Sequence, residues 1–314
     1  MLNINSILRS FPISIYQKFE QYFSRDDVNI NQLEEIRVRV GRPIFLRMNR
    51  KDVIIDYIVQ IEEILEILQH ICDNSIYSYQ GQICQGFITT KGGHRIGITG
   101  NVVMKDGKVS NITYISSLNF RIAKQIIGCS NKILQYIIAE ENTVYNTLIV
   151  SPPGAGKTTI LRDVARRISN GIEQIRFEGI NIGIVDERGE IAAMYRGVPQ
   201  NDIGIRTDVL DNVPKDVGMT MLIRSMSPQV IIADEIGNER DIEAIETAIC
   251  SGVKGIFTAH GSNIEDIKRN SAMETLLKKH IFDKIIFLQK DFEIGKVYEY
   301  QKLDKQYICI NSSK

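Results

Sequence analysis

Residues 147–159 read Thr-Leu-Ile-Val-Ser-Pro-Pro-Gly-Ala-Gly-Lys-Thr-Thr, an apolar strand that runs directly into a glycine-containing loop. Small residues let backbone N–H groups approach phosphate oxygens closely. Apolar residues at 160, 161, 164, 165 and 168 share one face of a helix that follows the loop. Such a helix begins at the phosphates and directs its N-terminal dipole at them. The stretch therefore predicts a P-loop nucleotide-binding site.

We assign nucleotide binding to seven residues of this loop: Pro153, Gly154, Ala155, Gly156, Lys157, Thr158 and Thr159. Lys157 supplies a positive charge for the β- and γ-phosphates of ATP, and the Thr158 hydroxyl is a predicted Mg²⁺ ligand. Ser151 departs from the strict G-x-x-x-x-G-K-[ST] pattern, because it stands where the first glycine is expected. Serine resists a positive φ more than glycine does, so we expect this substitution to lower nucleotide affinity.

Length, charge and cysteine content limit the classes of protein to which this chain can belong. The 314 residues are enough for two domains, and the 38 basic residues balance the 38 acidic ones. No global basic field therefore favours nucleic acid as a direct partner. The five cysteines are scattered without metal-ligand spacing, which indicates reduced thiols in a cytosol-like compartment. We expect neither a signal peptide nor a transmembrane segment, so any membrane association would be peripheral and cytoplasmic.

A change of pattern predicts two domains. Residues 1–140 mix short helices with alternating strands and indicate a small α+β domain. Residues 141–314 alternate strands with helices, which indicates a parallel sheet flanked by helices with ligands at the carboxyl ends of its strands. The predicted strands of this second domain are Thr147–Val150, Asn181–Val185, Val230–Ala233, Gly255–Thr258 and Lys284–Leu288. A closing hairpin over 289–310 is predicted to turn at Gly295-Lys296.

Acidic pairs and one histidine follow these strands. Asp234 and Glu235 come directly after a wholly apolar strand, so we assign Asp234 to Mg²⁺ and Glu235 to the attacking water. Glu187 follows another strand, after Asp186, and is a second candidate for orienting that water. His260 ends a third strand, where it could bond the γ-phosphate and sense its loss. The predicted catalytic residues are thus Glu235, Glu187 and His260, with Thr158 and Asp234 on the metal.

The order of these motifs resembles that of the type II/IV secretion ATPase superfamily, hexameric RecA/AAA-like P-loop motors. The evidence is the P-loop at 151–159, the Val-Asp-Glu-Arg-Gly-Glu box at 185–190, the Walker B strand at 230–235 and the Thr-Ala-His-Gly box at 258–261. A closer resemblance, to the stage III sporulation protein AA family of endospore-forming bacteria, rests on the segments 33–39, 41–43, 86–97, 185–192 and 233–237.

The resemblance implies a mother-cell ATPase, a homo-hexamer, that acts through membrane channel proteins of a secretion-like complex between mother cell and forespore. It also implies an N-terminal domain that lends arginines to the nucleotide, for which Arg95 and Arg121 are candidates. Arg188, Arg196, Arg206 and Arg224 are candidates for an arginine donated across a subunit interface.

Two other functions stay open. A nucleic-acid-stimulated RecA-like ATPase would share the P-loop and the acidic strand ends, although neutral charge and the absence of tryptophan weigh against it. A nucleotide-gated regulatory module with negligible turnover would share the binding loop but not need a hydrolytic glutamate. A cluster of basic residues at 37–51 is interpreted as a solvated face balanced by nearby acids.

Overall fold

The computed structural model describes residues 4–301 and 303–312. The chain divides into two compact units. One runs to Lys124 and includes Ala193–Gln200, and the other holds Gln125–Ala192 and continues from Asn201. The boundary predicted at residue 140 lies further along the chain than this division. The segment 193–200 joins the first unit because its residues bond there, as the Gln200 side chain does in accepting the Gly92 N–H at 2.8 Å.

The first unit is an α+β fold. Its helices and strands run in the order α1 Ile4–Leu8, α2 Ile13–Phe23, β1 Leu33–Arg39, β2 Pro43–Met48, β3 Lys51–Ile58, α3 Ile61–Ile71, α4 Gln80–Cys84, β4 Phe87–Thr89, β5 Arg95–Lys105 and β6 Lys108–Arg121. The strands pair antiparallel in the order β3-β2-β1-β6-β5-β4. Alternating apolar residues explain the core, because Ile36 and Val38 of β1 are fully buried while Arg37 between them is not.

Sequence patterns located this first sheet incompletely. Alternating residues predict a strand over 118–123, whereas the observed strand β6 begins at Lys108, directly after the Asp106-Gly107 turn. Strand β3 had no sequence prediction. Two members of the basic cluster have acidic partners, since Arg37 pairs with Glu35 at 2.8 Å and Arg47 lies 3.8 Å from Glu34.

The second unit is built on a largely parallel sheet. Its elements are α5 Asn131–Ile137, β7 Ile138–Ala139, β8 Thr143–Val144, β9 Thr147–Ser151, α6 Lys157–Asn170, β10 Ile182–Asp186, β13 Thr207–Asp211, α7 Lys215–Met226, β14 Val230–Ala233, α8 Glu239–Cys250, β15 Lys254–His260, α9 Ile264–Lys268, α10 Ser271–Lys278, β16 Lys284–Leu288, β17 Ile294–Gln301 and β18 Gln306–Ser312. The small pair β11 Met194–Tyr195 and β12 Val198–Pro199 lies in the segment 193–200 of the first unit. The strand order is β13-β10-β14-β15-β9-β16-β17-β18. The strands from β13 to β16 are parallel, and β17 and β18 are antiparallel additions.

Helices cover both faces of this sheet. Helices α7 to α10 bury apolar residues against one face, where they meet Leu148 and Val150 of β9. The intervening Ile149 must point to the opposite face because side chains alternate along a strand. Helix α6 packs against β9, β13 and β15 and buries the apolar stripe predicted for it. The predicted arrangement of a parallel sheet flanked by helices is confirmed.

One prediction for this sheet was wrong, and one of its strands was missed. The hairpin does not turn at Gly295-Lys296, because both residues lie inside β17, which pairs with β16 and then with β18. The turn falls instead between Gln301 and Gln306. The edge strand β13 was not foreseen, because its polar Thr and Asp residues obscure the apolar Val209 and Leu210. Within the described ranges, no helix is both long and apolar enough to cross a membrane.

Candidate nucleotide-binding site

The phosphate-binding loop leaves the sheet at the end of β9 and enters α6 at Lys157. Its left-handed residues are both glycines, Gly154 with φ 76° and Gly156 with φ 88°. Ser151 is a buried strand residue whose hydroxyl donates to the Pro152 carbonyl at 3.0 Å. The first position of the loop therefore needs no positive φ, and the reason for expecting Ser151 to weaken the loop does not apply.

Helix α6 is held behind the loop by two buried polar side chains. Arg162 donates to the carbonyls of Ile191 at 2.7 Å and Glu190 at 2.6 Å. Asp163 accepts from the N–H and the hydroxyl of Ser130 at 2.9 and 2.6 Å. Burial alone would raise the pKa of Asp163, but these bonds and a bridge to Arg166 outweigh it, so the pKa is lowered. The helix start is thus fixed by ionised, bonded groups.

Lys157 is only 5% exposed and points back across the loop. Its Nζ lies 3.1 Å from the Ser151 carbonyl, 3.3 Å from the Pro152 carbonyl and 3.1 Å from Nδ1 of His260. Burial lowers the pKa of Lys157, while the charges of Asp234 and Glu235 partly oppose that shift. The ammonium is held by neutral acceptors that anionic phosphate oxygens could replace.

Asp234 lies between two hydroxyl groups. The Thr158 hydroxyl donates to one carboxylate oxygen and the Thr258 hydroxyl donates to the other. Mg²⁺ in nucleotide sites is bound by one or two protein oxygens, with phosphates and water completing its octahedron. A hydroxyl beside a carboxylate fits that requirement. In the part of the chain that the structure describes, no cluster of three or more His, Cys, Asp or Glu side chains could hold a metal by itself.

Glu235 adopts a left-handed backbone, with φ 53°. Its N–H donates to the Thr258 hydroxyl at 2.8 Å, so one threonine orients both acidic residues. The Glu235 carboxylate contacts Arg188 Nη1 at 2.5 Å and His260 Nε2 at 2.8 Å. A left-handed backbone costs a residue other than glycine about 1–2 kcal/mol, which the surrounding contacts must offset.

His260 links the lysine to this glutamate. Because the charged Lys157 can only donate, Nδ1 of His260 accepts, and Nε2–H donates to Glu235. This tautomer follows from the partners of the two ring nitrogens. Strand register explains the arrangement, since His260 of β15 pairs with Ser151 of β9.

The other acidic pair lines the same cavity as Asp234 and Glu235, but its carboxylates bond to other partners. Glu187 is bonded to the largely buried Lys215 of α7. Asp186 is buried, and it accepts the N–H groups of Glu190, Ile191 and Ala192 at 2.8 to 3.0 Å. Burial raises the pKa of Asp186, although these three bonds oppose the shift. Asp186 thus shapes the loop after β10.

The predicted residues Lys157, Thr158, Asp234, Glu235 and His260 are joined by hydrogen bonds or ion pairs at one edge of the sheet. Sequence reasoning missed the role of Thr258, although its place two residues before His260 puts both side chains on one side of β15.

Three of the four candidates for an interface arginine have partners within the chain. Arg188 pairs with Glu235 in the same chain, Arg196 with Asp73 at 2.8 Å, and Arg206 with the Ser169 carbonyl at 2.8 Å. In the first unit, Arg95 and Arg121 face each other on β5 and β6. The Arg95 guanidinium also lies 3.6 Å from the centre of the Phe87 ring. Which arginine acts across an interface stays a prediction.

Comparisons with known proteins agree on a family and on a fold. The family model described as Sporulation stage III, protein AA matches residues 11–305. Stage III sporulation protein AA of Bacillus subtilis (strain 168) is 40% identical over 259 residues, which cover 82% of this chain and 83% of that protein.

Two solved structures share the fold at low identity. The ATPase DotB of Legionella pneumophila matches with a TM-score of 0.56 at 14% identity, over 95% of this chain and 79% of that one. The pilus retraction motor PilT, solved with bound ADP, matches with a TM-score of 0.56 at 14% identity, over 90% of this chain and 80% of that one. The predicted RecA-like P-loop fold is confirmed.

Proposed function

Because this chain belongs to the Sporulation stage III, protein AA family, we propose that it is an ATP-hydrolysing motor that powers a secretion-like channel or assembly complex between mother cell and forespore. One observation carries the hydrolytic part of the proposal. A phosphate-binding loop, a hydroxyl–carboxylate pair suited to Mg²⁺ and a strained glutamate are joined by contacts at one edge of the sheet. The fold shared with the ATPase DotB and with the motor PilT, which binds ADP, supports the same proposal.

Binding begins at the loop. Backbone N–H groups and the N-terminus of α6 receive the phosphates, and the Lys157 ammonium exchanges its neutral acceptors for phosphate oxygens. Thr158 and Asp234 would hold Mg²⁺, which would neutralise part of the phosphate charge when it is bound. Because Lys157 then leaves His260 Nδ1, the imidazole is free to turn toward the γ-phosphate, which is the sensing role proposed for it.

Hydrolysis needs a group that orients water and accepts its proton. Glu235 is better placed than Glu187 for this role, because Arg188 and the Thr258 hydroxyl fix its position relative to Asp234. Glu187 is bonded instead to Lys215 of α7, outside the contacts that join Lys157, Thr158 and Asp234. Removing a general base typically slows a reaction by about 10²- to 10⁴-fold.

The test compares two isosteric variants in a steady-state phosphate-release assay with ATP and Mg²⁺. We expect Glu235→Gln to lower kcat by at least about 100-fold while ATP still binds, and Glu187→Gln to stay within about tenfold of the wild type. A larger loss from Glu187→Gln would move the role to that residue. Wild-type protein without turnover would favour a nucleotide-gated module, and strong stimulation by DNA or RNA would favour a nucleic-acid-dependent ATPase instead.

The motor proposal also implies an assembly. A single phosphate site gives no mechanical cycle, so we propose a homo-hexameric ring on the mother-cell side that contacts membrane channel proteins rather than entering the membrane. Light scattering with ATP·Mg²⁺ tests the ring. A monomer at every concentration would contradict it.

A further inference from the structure

The ring of Phe292 lies against the last glycine of the phosphate-binding loop. A Cβ placed on Gly156 would stand only 2.4 Å from Phe292 Cε1, so the ring touches the loop backbone. Phe292 is half-buried, so this residue is not enclosed in the core. An aromatic side chain is thus placed directly beside the proposed phosphate cradle, and no step of hydrolysis requires it.

The chain holds this ring in place with an unusual backbone. Asp291 and Phe292 have φ values of 58° and 62°, although bulky residues rarely enter the left-handed region. The loop is closed by a hydrogen bond from Gln289 N to Glu293 O at 2.8 Å. It is tied to α5 by the pair of Lys132 with Glu293 at 2.6 Å. Strain maintained by surrounding contacts is typical of ligand clamps.

Topology brings this loop to the nucleotide edge of the sheet. Strand β16 runs parallel to β9, with Phe287 opposite Val150, so the loops that follow the two strands leave the sheet on the same side. The segment before α5 reaches the first turn of α6, where Cys129 Sγ lies 3.6 Å from the Thr159 carbonyl. Ile126 and Ile127 of that segment are 46% and 65% exposed, which leaves apolar surface near the helix start.

We infer that Phe292 stacks on the base of the bound nucleoside triphosphate. The inference rests on the proposed nucleotide-binding function and adds the site of the base to it. Phosphates alone are recognised by the loop and by Lys157, whereas a base needs a flat apolar partner. Because every base has a π-face, stacking on a phenylalanine strengthens the binding of nucleotides without selecting adenine over guanine.

The experiment is calorimetric titration of the full chain with two probes, ATP·Mg²⁺ and tripolyphosphate·Mg²⁺. We expect Phe292→Ala to weaken ATP binding by about tenfold, within the range measured for lost base–aromatic stacking. Tripolyphosphate has no base, so its affinity should change by less than about twofold. Phe292→Tyr keeps the π-face and is the matched control, with ATP affinity within about threefold of the wild type.

The two probes separate the possible failures. If wild-type protein binds neither ATP nor tripolyphosphate, the proposed function fails and this inference fails with it. If the wild type binds ATP and Phe292→Ala binds it equally well, only the role of Phe292 is overturned. Equal losses for both probes would show that Phe292 supports the loop backbone rather than a base, which also overturns the inference. Thermal unfolding of each variant checks that it is folded.

Discussion

Replacing Thr258 by valine tests how the two acidic residues of the site are positioned. Valine has nearly the shape of threonine, but it lacks the hydroxyl that accepts the Glu235 N–H at 2.8 Å and donates to Asp234. Thr258 is fully buried, so water cannot readily replace that hydroxyl. The substitution therefore removes two hydrogen bonds while changing little else.

The magnitude follows from these two bonds. The bond to the Asp234 carboxylate is charge-assisted and contributes about 1.5–3 kcal/mol, and a backbone N–H left without its partner costs about 1–3 kcal/mol. Because Asp234 and Glu235 are only partly buried, water recovers some of this loss. We expect the unfolding free energy of Thr258→Val to fall by about 2–4 kcal/mol. We expect kcat to fall by about 10- to 100-fold, because the lost hydroxyl orients the proposed metal ligand Asp234.

Thr258→Ser is the matched control, because it keeps the hydroxyl and loses one methyl group, which costs about 1 kcal/mol. Urea unfolding gives the stabilities, and steady-state ATP hydrolysis gives kcat. If the valine and serine variants match in both measurements, the hydroxyl does not orient the acidic pair. If Thr258→Val loses stability but keeps its kcat, the hydroxyl supports the fold without positioning the carboxylates for hydrolysis.

Three other groups give separate predictions. Burial lowers the pKa of His94 from 6.5 to about 4. Between these pH values the unfolded chain binds a proton at His94 that the folded chain does not bind. The free energy of unfolding should therefore fall by about 3 kcal/mol as the pH is lowered from 6.5 to about 4. Asp163→Asn should lower the free energy of unfolding in urea at pH 7 by about 3 kcal/mol. Arg166 loses its charged partner, and an asparagine NH₂ group that faces the Ser130 N–H would bring two donors together. Gly156→Ala should weaken ATP binding by about tenfold in calorimetric titration, because φ 88° strains alanine and its Cβ meets Phe292.

Each of these predictions has its own control. For the histidine, His94→Asn can keep an acceptor for the Ala123 N–H, but its side chain does not titrate. If stability falls with pH in parallel for the wild type and this variant, His94 is not the cause of the pH dependence. For the aspartate, Ser130→Ala should lose less than Asp163→Asn, since it removes one hydrogen bond and no charge. For the glycine, Gly154→Ala meets no atom within 4 Å, so a larger loss there would contradict the steric part of the argument.

Features set by neighbours in the chain were predictable from the sequence. The P-loop, its helix and the acidic strand ends depend on local spacing, because an apolar run followed by small residues, Lys and Thr has few other structures available. The strands Val230–Ala233 and Lys284–Leu288 were predicted to the residue for the same reason. Parallel topology then implied that Lys157, Asp234 and His260 would meet at one edge.

Tertiary structure alone decided which groups contact each other at that edge. Arg188 meets Glu235, Thr258 bonds both acidic residues, and Phe292 lies on Gly156 across more than a hundred residues of chain. Sequence spacing carries no information on such contacts, because they depend on strand register and on backbone conformations such as the positive φ of Glu235 and Phe292. The sequence by itself thus determined that this protein carries a phosphate-binding loop beside acidic strand ends. Only folding placed the Thr258 hydroxyl between the Asp234 carboxylate and the Glu235 N–H, and an aromatic ring beside the phosphate-binding loop, because those partners come from segments that are distant in sequence and adjacent in the fold.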